Sequence, residues 1–380
     1  MIKILFIHSQ LVCGGAEQAL FDLVSLMDKT KFDITVMVQF DGGIWEQKFR
    51  DAGINVLSPW SCQKPSWNPL VKIQNLYKRK QIKMAMEHEG EGLVDICIGE
   101  KFDIIVSFGL WVMQKMAFSG KAKTVKYIHG DIASNPQFCE NILGSIDLLK
   151  KFDRIICVSE TARRSFETIT GVAKGVSAHF NPLNSENIRI LAQQEISLPN
   201  DVPIVCAVGR LAEEKGFERL IRIHKSLTEE GLTHRLVIVG DGPEKEHLKD
   251  VIQSIGAENS VILIGYTANP YPYMRHSSFL VCPSYTEGLG LVAMEALFLE
   301  IPVVSSAPSV GELFGTEVCG IVTDSDDESL KAGIRQMFTD EAFYQQAKSG
   351  AQKRSSFFDG KRMVRKIEDE FITLVNQSQW

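Results

Sequence analysis

The chain has 380 residues, which is enough for two domains of ordinary size, each with its own hydrophobic core. A charged fraction of 23% and a hydrophobic fraction of 44% are typical of a globular protein and exclude a disordered chain. The formal net charge of −6 argues against general nucleic-acid binding, so we expect no nucleic-acid partner.

The eight cysteines are widely scattered and none belongs to a C-x-x-C pair, which favours free thiols in a reduced protein. The apolar run over residues 2–7 is too short for a signal peptide. No stretch reaches the roughly 18 apolar residues that a membrane span needs. We therefore expect a cytoplasmic protein, which would meet a membrane only from the cytosolic side.

Short apolar runs alternate with helical stretches in the first half of the chain, and this alternation predicts an α/β domain with a doubly wound parallel sheet. The run over 2–7 is followed by Gly14-Gly15 and by a helix over about 17–27. The G-x-G-x-x-G fingerprint of dinucleotide-binding domains is absent. Further strands are predicted at residues 33–39, 54–57, 103–108, 124–128 and 153–158.

Residues 72–83 carry five positive charges and no negative one, with apolar side chains between them. Trp60 and Trp67 lie just upstream. A basic amphipathic helix of this kind suits an anionic membrane or acceptor, and a solvated helix face would have the same composition. The sequence leaves both interpretations open.

His129 directly follows the predicted strand 124–128. Open α/β sheets present ligand-binding residues at the carboxyl ends of their strands, so His129 is a candidate for contact with a ligand. A lone histidine is more often structural, and this alternative also stays open.

The polar segment from residue 181 to 203 contains three prolines and predicts a hinge between two domains. After it, a buried strand that begins at Ile204 ends at Gly209-Arg210, and Lys215 follows shortly. Because both cations leave the same strand end, they can reach a common anion. Two more strands are predicted from Leu236 to the turn at Gly240 and from Val261 to Tyr266.

The stretch after the apolar run 279–281 has the pattern of a ligand-binding loop and helix. Glycines next to Glu287 allow close approach of a ligand, and free amides in the first turn of the predicted helix over 291–299 suit an anion. We expect Glu295 two turns into that helix and about 10 Å from Glu287. Two such carboxylates can bind hydroxyls at both ends of a diphosphate-linked molecule.

Glu287 and Glu295 are separated by seven residues, and the sequence from Ser284 to Glu295 is followed by Ile301-Pro302. This pattern resembles the signature of glycosyltransferase family 4. The resemblance covers the whole chain and is most specific in residues 204–313. It implies a GT-B fold, in which two doubly wound, Rossmann-like domains face each other across a cleft.

In that fold, residues 1–181 would form an acceptor-binding domain and residues 182–360 a donor-binding domain. The C-terminal helix, about 360–380, would pack back on the first domain. The resemblance also implies a retaining transferase that uses a nucleotide-sugar donor, with a UDP-sugar as the common choice, and that needs no cofactor and no metal.

The resemblance implies roles for individual residues. Arg210 and Lys215 would neutralise the departing diphosphate, and His129 would lie near the donor sugar as a further catalytic residue. Glu287 would bind the donor sugar and Glu295 the ribose. The implied donor site comprises Gly14, Gly15, Gly209, Arg210, Lys215, Gly240, Tyr266, Glu287, Gly288, Leu289, Gly290, Leu291 and Glu295.

The acceptor implied by the resemblance is a glycan or a lipid-linked molecule, in the assembly of a surface polysaccharide or glycoconjugate. The basic stretch and its flanking tryptophans favour an anionic or lipid-linked acceptor. We expect peripheral contact with the cytosolic face of a membrane through residues 60–83.

The sequence raises four other interpretations. Asp324-Ser325-Asp326 matches a metal motif of another glycosyltransferase fold, but a helix cap explains it. A retaining glycosidase needs carboxylates about 5 Å apart, closer than we expect here. A nicotinamide-dependent dehydrogenase lacks its fingerprint. A non-catalytic nucleotide-sugar-binding protein remains the alternative, and it would bind the donor without turnover.

Overall fold

The structure is a computed structural model that describes residues 1–12, 14–61, 67–109, 112–134, 136–199 and 201–377. The chain divides into two compact units. The first contains Met1–Pro182 and the segment from Lys361 onward, and the second contains Leu183–Gly360. The six cysteines within the described ranges are free thiols, and Cys13 and Cys62 lie outside those ranges.

The first unit is built on one parallel sheet whose inner strands are mostly buried and rich in apolar residues, as expected for strands covered by helices on both faces. Its seven strands lie in the order β3-β2-β1-β4-β5-β6-β7, with the ranges β1 (Ile2–His8), β2 (Phe32–Val38), β3 (Asn55–Leu57), β4 (Ile104–Ser107), β5 (Lys123–Ile128), β6 (Arg154–Cys157) and β7 (Val176–Ala178).

Seven helices of the first unit precede or connect these strands, and their apolar faces contribute to its core. They are α1 (Gly15–Leu26), α2 (Glu46–Asp51), α3 (Pro69–Glu87), α4 (Leu93–Cys97), α5 (Pro136–Leu143), α6 (Ile146–Leu149) and α7 (Glu160–Thr170), with short 3₁₀ helices at Gln114–Ala117 and Ile132–Ser134.

The described residues of the second unit form eight α-helices, of which α9 and α14 bury several large apolar side chains against the sheet. They are α8 (Ser185–Leu191), α9 (Phe217–Glu229), α10 (Lys245–Ser254), α11 (Tyr271–Arg275), α12 (Leu291–Phe298), α13 (Gly311–Phe314), α14 (Asp327–Thr339) and α15 (Glu341–Ser355), with 3₁₀ helices at Glu213–Lys215, Pro308–Val310 and Ser356–Phe358.

Its sheet is also parallel and six-stranded, in the order β10-β9-β8-β11-β12-β13. The strands are β8 (Ile204–Val208), β9 (Arg235–Val239), β10 (Val261–Gly265), β11 (Phe279–Cys282), β12 (Val303–Ser305) and β13 (Gly320–Val322).

The last helix, α16 (Gly360–Asn376), returns the chain to the first unit. Its predicted apolar face is confirmed at Met363, Ile367 and Phe371, which are buried. The predicted strands are confirmed with ends that shift by one or two residues. Strands β7, β12 and β13, helix α15 and several short helices were not predicted. No described helix is both long and apolar enough to span a membrane.

Candidate active site

The candidate site of the second unit lies where the order of its strands reverses. Strands β8 and β11 are neighbours, while β9 lies on the other side of β8 and β12 on the other side of β11. Ligands of open α/β sheets bind at the carboxyl ends of the strands at such a switch point. Arg210 and Lys215 follow β8, and Glu287 follows β11, so the topology collects these predicted residues at one sheet edge.

Gly290 shapes the start of α12. Its φ of 74° is a left-handed conformation, and a Cβ there would lie 2.8 Å from Val310 Cγ2, so a side chain would be strained and crowded. The Met294 amide donates to the Gly290 carbonyl at 3.1 Å and closes the first helical turn. The amides from Leu291 to Ala293 precede that bond and are suited to an anion.

Glu287 is held by residues from three parts of the unit. Its Oε1 accepts a hydrogen bond from Lys215 Nζ at 2.6 Å and another from Ser284 Oγ at 2.7 Å. The Ser309 hydroxyl donates to its backbone carbonyl at 3.1 Å. The fold therefore brings together a cation and a carboxylate that are 72 positions apart in the sequence.

Arg210 pairs with a different carboxylate. Its Nη2 lies 2.5 Å from Glu214 Oε1, and both side chains are substantially exposed. Burial alone would raise the pKa of Glu214, but hydrogen bonds from its own backbone and from Arg210 hold that pKa below its usual range. Glu214 was not among the predicted site residues.

Helix α12 begins at Leu291 as predicted, but Glu295 lies only just over one turn into it, because four residues at 3.6 residues per turn make about one turn; the expectation of two turns was wrong. Its side chain is buried, and Oε1 accepts a hydrogen bond from the Tyr271 hydroxyl at 3.1 Å. Tyr271 belongs to α11, which sequence analysis did not predict. The carboxylate is thus fixed against the fold and is not a solvated helix side chain.

Arg219 is a buried arginine that sequence analysis missed, and it fixes the loop that carries Glu287. Its Nε donates to the Pro283 carbonyl at 2.8 Å, and its Nη2 donates to Ser306 Oγ at 2.5 Å. The guanidinium also lies 4.1 Å from the centroid of the Tyr285 ring. Gly216 is required beside it, because a Cβ there would lie 2.2 Å from the Pro283 carbonyl oxygen.

The predicted glycines at the ends of β8 and β9 are in close backbone contact. A Cβ on Gly240 would lie 1.8 Å from the Gly209 carbonyl oxygen. The Gly240 amide donates to the Gly265 carbonyl at 2.9 Å, so the ends of β9 and β10 are also tied together. Tyr266 follows Gly265 with 60% of its surface exposed, at the same edge of the sheet.

Gly14 and Gly15 begin α1 in the first unit, as predicted for a strand–loop–helix opening. Glu17 lies in the first turn, and a Cβ on Gly14 would be 2.5 Å from Glu17 Oε2. The buried carboxylate therefore lies over the start of this helix, and burial raises its pKa. A negative group at this position opposes the binding of a phosphate there.

His129 follows β5, and its Nε2 lies 2.6 Å from the Phe108 carbonyl oxygen. Because a carbonyl can only accept, this nitrogen carries the proton. Burial lowers the pKa of His129 to about 3, so the ring is neutral at pH 7 and its Nδ1 is an acceptor. His129 can accept a hydrogen bond from a hydroxyl but is not poised as a general acid.

Helix α3 contains the basic stretch. Asn68 caps it by accepting a hydrogen bond from the Leu70 amide at 2.9 Å. Ile82 and Ala85, near the end of the helix, are buried. Its first turns are exposed. Large side chains between 64% and 94% exposed lie there and just before it, namely Trp67, Leu70, Ile73, Leu76 and Tyr77. Residues 62–66 of the predicted contact segment 60–83 lie outside the described residues.

The Asp324-Ser325-Asp326 motif forms a helix cap, as predicted. Asp326 accepts a hydrogen bond from the Ser329 amide at 2.8 Å and precedes α14. Within the residues that the structure describes, no three His, Cys, Asp or Glu side chains are grouped as metal ligands would be.

Comparison with known proteins defines the class. Residues 189–354 match the profile of the family described as glycosyl transferases group 1. A curated relative from Campylobacter jejuni is an N-acetylgalactosamine-N,N'-diacetylbacillosaminyl-diphospho-undecaprenol 4-alpha-N-acetylgalactosaminyltransferase, 26% identical over 95% of this chain and 96% of that protein. The capsular polysaccharide glycosyltransferase CapM of Staphylococcus aureus is 23% identical over 59% of this chain and 60% of its own length.

Solved structures agree in fold over nearly the whole chain. Anabaena Alr3699/HepE in complex with UDP and glucose superposes with a TM-score of 0.75 at 22% identity, covering 98% of this chain and 100% of that one. A TarM variant of S. aureus, in complex with fondaparinux, alpha-GlcNAc-glycerol and UDP, gives 0.74 at 14% identity and covers 99% and 100%. The fold is GT-B, with two Rossmann-like domains. The profile, the relatives and the fold together support a GT-B glycosyltransferase.

Proposed function

We propose that the protein is a retaining glycosyltransferase of family 4, which moves a hexosyl or N-acetylhexosaminyl group from a nucleotide-diphosphate sugar to a hydroxyl of a glycan or lipid-linked acceptor. The observation that carries the proposal is the contact of Lys215 with Glu287 at 2.6 Å, in the loop that leads into α12. A cation for phosphate and a carboxylate for hydroxyls thus meet next to an anion-binding helix start.

In the proposed reaction, an acceptor hydroxyl oxygen forms a bond to the anomeric carbon of the donor sugar. The bond from that carbon to the diphosphate oxygen breaks, and its electron pair leaves with the nucleotide diphosphate. The proton of the acceptor hydroxyl passes to a phosphate oxygen of the leaving group on the same face. A course of this kind retains the anomeric configuration and needs no side-chain base.

The protein would act chiefly on the charge of the leaving group. Arg210, Lys215 and the amides that begin α12 would stabilise the diphosphate as its negative charge develops. Glu287 would hold hydroxyls of the donor sugar and Glu295 those of the ribose, since carboxylates are strong acceptors for vicinal hydroxyls. We propose that these charges suffice without a metal ion.

A UDP-sugar is the donor that we favour. Crystal structures of Alr3699/HepE contain UDP and UDP-glucose as ligands of that protein. The relative from C. jejuni transfers N-acetylgalactosamine, and other relatives are named for capsular polysaccharide and O-antigen biosynthesis. We therefore place the proposed reaction in the assembly of a surface polysaccharide or glycoconjugate.

We propose that the first unit binds the acceptor. The neutral His129, with an acceptor nitrogen at Nδ1, suits a hydroxyl of a sugar. The exposed apolar and basic side chains of α3 suit the cytosolic face of a membrane that carries a lipid-linked acceptor. The protein would then be cytoplasmic and peripheral to that membrane.

The test is a donor screen with isothermal titration and turnover assays. UDP, GDP, ADP and their glucose, galactose, GlcNAc and GalNAc conjugates are titrated with and without EDTA, and the binders are assayed for nucleotide release with an undecaprenyl-diphosphate glycan. We expect UDP-sugar binding that EDTA leaves unchanged, and an α-linked product by NMR from an α-linked donor. Binding without turnover would favour a nucleotide-sugar-binding protein, and binding of no nucleotide would overturn the proposal.

A further inference from the structure

The four charged side chains of the proposed diphosphate site neutralise one another. Arg210 Nη2 lies 2.5 Å from Glu214 Oε1, and Lys215 Nζ lies 2.6 Å from Glu287 Oε1. Two cations and two carboxylates have no net charge. A diphosphate therefore gains little attraction from this set as it stands, and it must replace a carboxylate as the partner of a cation.

The two ion pairs differ in how firmly they are held. Glu287 accepts a second hydrogen bond from the buried Ser284, and both members of the Lys215–Glu287 pair are mostly shielded from solvent. The Arg210–Glu214 pair is open to solvent, with side-chain exposures of 66% and 47%. Exposed pairs contribute little to stability, so Arg210 is the cation that exchanges its partner at low cost.

The backbone keeps Glu214 beside Arg210. Glu214 lies in the 3₁₀ turn Glu213–Lys215, and its carbonyl accepts a hydrogen bond from the Tyr285 amide at 3.0 Å. This bond ties the turn to the loop that carries Glu287. The Glu214 carboxylate is ionised at neutral pH, since hydrogen bonds hold its pKa below the usual range against the opposing effect of burial. It is therefore a fixed negative charge next to the proposed phosphate position.

Resting on the proposed function, we propose that Glu214 is a resident counter-anion that a nucleotide diphosphate displaces from Arg210. Glu214 orients the guanidinium while no phosphate is bound and competes with the diphosphate once it arrives. It thereby weakens the binding of the diphosphate product and speeds its release. Glu214 is a positioning residue, because it acts through Arg210.

The experiment measures Kd by isothermal titration for Glu214→Gln, with uridine and UDP as ligands at low ionic strength. We expect UDP to bind about fivefold more tightly than to the parent protein, because a competing carboxylate is removed, and uridine to bind unchanged. Glu213→Gln is the matched control, since it removes one negative charge from the same exposed turn. It should change the Kd of UDP less than twofold, by the usual weakness of exposed charges.

Repeating the measurement in the Arg210→Gln variant tests whether Glu214 acts through Arg210. In Arg210→Gln, the further change Glu214→Gln should leave the Kd of UDP unaltered, because the competition runs through the guanidinium. Equal effects of Glu214→Gln and Glu213→Gln, or the same tightening in the Arg210→Gln background, would overturn the role of Glu214. A parent protein that binds no nucleotide diphosphate would instead overturn the proposed function itself.

Discussion

At the scale of single residues, Glu287 shows how a carboxylate can be prepared for a neutral ligand. Both of its described side-chain contacts, to Lys215 and Ser284, use Oε1. In the proposed complex, Oε2 is then the oxygen that would accept hydrogen bonds from sugar hydroxyls. In the proposed complex, the Lys215 ammonium would contact both this carboxylate and the diphosphate, so one lysine would serve both functional groups.

Replacing Lys215 tests its role in the departure of the leaving group. In Lys215→Ala we expect kcat to fall about 100-fold with a smaller change in KM, because the lost cation acts on charge that develops in the transition state. Steady-state kinetics with a saturating acceptor measure both constants. Lys249→Ala is the control, since Lys249 is an exposed lysine paired with Glu246 on α10. A rise in KM at constant kcat would assign Lys215 to ground-state binding only.

Glu295 carries a prediction about affinity. In Glu295→Ala we expect the Kd of the nucleotide sugar to rise about tenfold, which corresponds to about 1.4 kcal/mol, through the loss of hydrogen bonds to the ribose. Because the side chain is buried, its removal also lowers the melting temperature. Tyr271→Phe is the companion variant, since it removes the hydroxyl bonded to Glu295 and keeps the carboxylate. Loss of stability in Glu295→Ala without loss of affinity would make Glu295 structural.

The sequence identified those site residues that belong to a motif with a recognisable spacing. It missed the residues whose importance depends on contacts in the folded structure. The pattern around Glu287 located the loop, and the pattern around Arg210 and Lys215 located the cations. Nothing in the sequence distinguishes the buried Arg219 from the exposed Arg222 one helical turn later. Only the contact of Arg219 with the Pro283 carbonyl reveals that it supports the loop. The donor-binding roles themselves remain predictions.

At the scale of elements, the sequence identified those with large apolar residues in a regular pattern. The predicted strands β4, β8 and β11 were confirmed, and each is a short, nearly continuous apolar run. Helix α15 (Glu341–Ser355) was missed because its buried residues, Ala347, Gly350 and Ala351, are small, and its large apolar side chains, Phe343 and Tyr344, lie only near its start. A Cβ on Gly350 would lie 1.9 Å from the Val318 carbonyl oxygen, so the rest of the helix packs closely without large apolar residues. Strand β7 was missed because it is short and only partly buried.

Helix α3 carries a prediction about membrane contact. Its exposed Ile73 and Leu76 lie on a helix with five basic residues and would insert between lipids. In the double variant Ile73→Glu and Leu76→Glu we expect co-sedimentation with anionic vesicles to fall at least about tenfold, because apolar area is lost and negative charge is added. The probe is a phosphatidylcholine vesicle that contains about 30% phosphatidylglycerol, which makes its surface anionic.

The matched control places the same charges elsewhere. Gln345 and Gln352 are both exposed on α15, and changing both to Glu adds two negative charges to the other unit. This variant should sediment like the parent protein. Equal loss in both variants would mean that net charge alone governs binding, and no binding by the parent protein would leave α3 as a solvated helix.

At the scale of the whole molecule, the chain ends in the unit where it began. Glu370 on α16 accepts hydrogen bonds from the Ser177 hydroxyl at 3.0 Å and from His179 Nε2 at 2.5 Å, at and beyond the edge strand β7. Glu368 accepts from the Asp28 amide at 2.6 Å. These polar contacts, with the buried Phe371, fix the last helix to the first unit. The sequence predicted the helix and its apolar face but not these polar partners.

Each unit also buries neutral histidines. His224 Nδ1 lies 2.8 Å from His234 Nε2, and His224 Nε2 lies 2.9 Å from Ser260 Oγ. His234 Nδ1 lies 2.7 Å from the Leu232 carbonyl oxygen, and this oxygen can only accept, so His234 donates there. The donor at each further hydrogen bond follows: His224 Nδ1 donates to His234 Nε2, and the Ser260 hydroxyl donates to His224 Nε2. A proton added to His234 turns its Nε2 from an acceptor into a donor that faces the Nδ1–H donor of His224.

This arrangement predicts acid sensitivity. Burial lowers the pKa of His224 from 6.5 to about 3 and that of His8 to about 4, whereas the unfolded chain binds these protons near pH 6.5. As the pH falls below 6.5, the unfolded state binds protons on these histidines that the folded state does not bind, so the free energy of unfolding falls. Each such group contributes about 1.4 kcal/mol per pH unit well below pH 6.5 and nothing at pH 8.

Urea unfolding of the parent protein and of His224→Gln at several pH values measures how the free energy of unfolding depends on pH. Between about pH 6 and pH 5, the free energy of unfolding of the parent protein should fall more steeply than that of His224→Gln, which loses one titrating group. His88→Gln, a change at an exposed histidine, should keep the parent slope. Identical slopes for the parent protein and His224→Gln would show that the buried histidine chain takes up its proton as readily in the folded protein as in the unfolded chain.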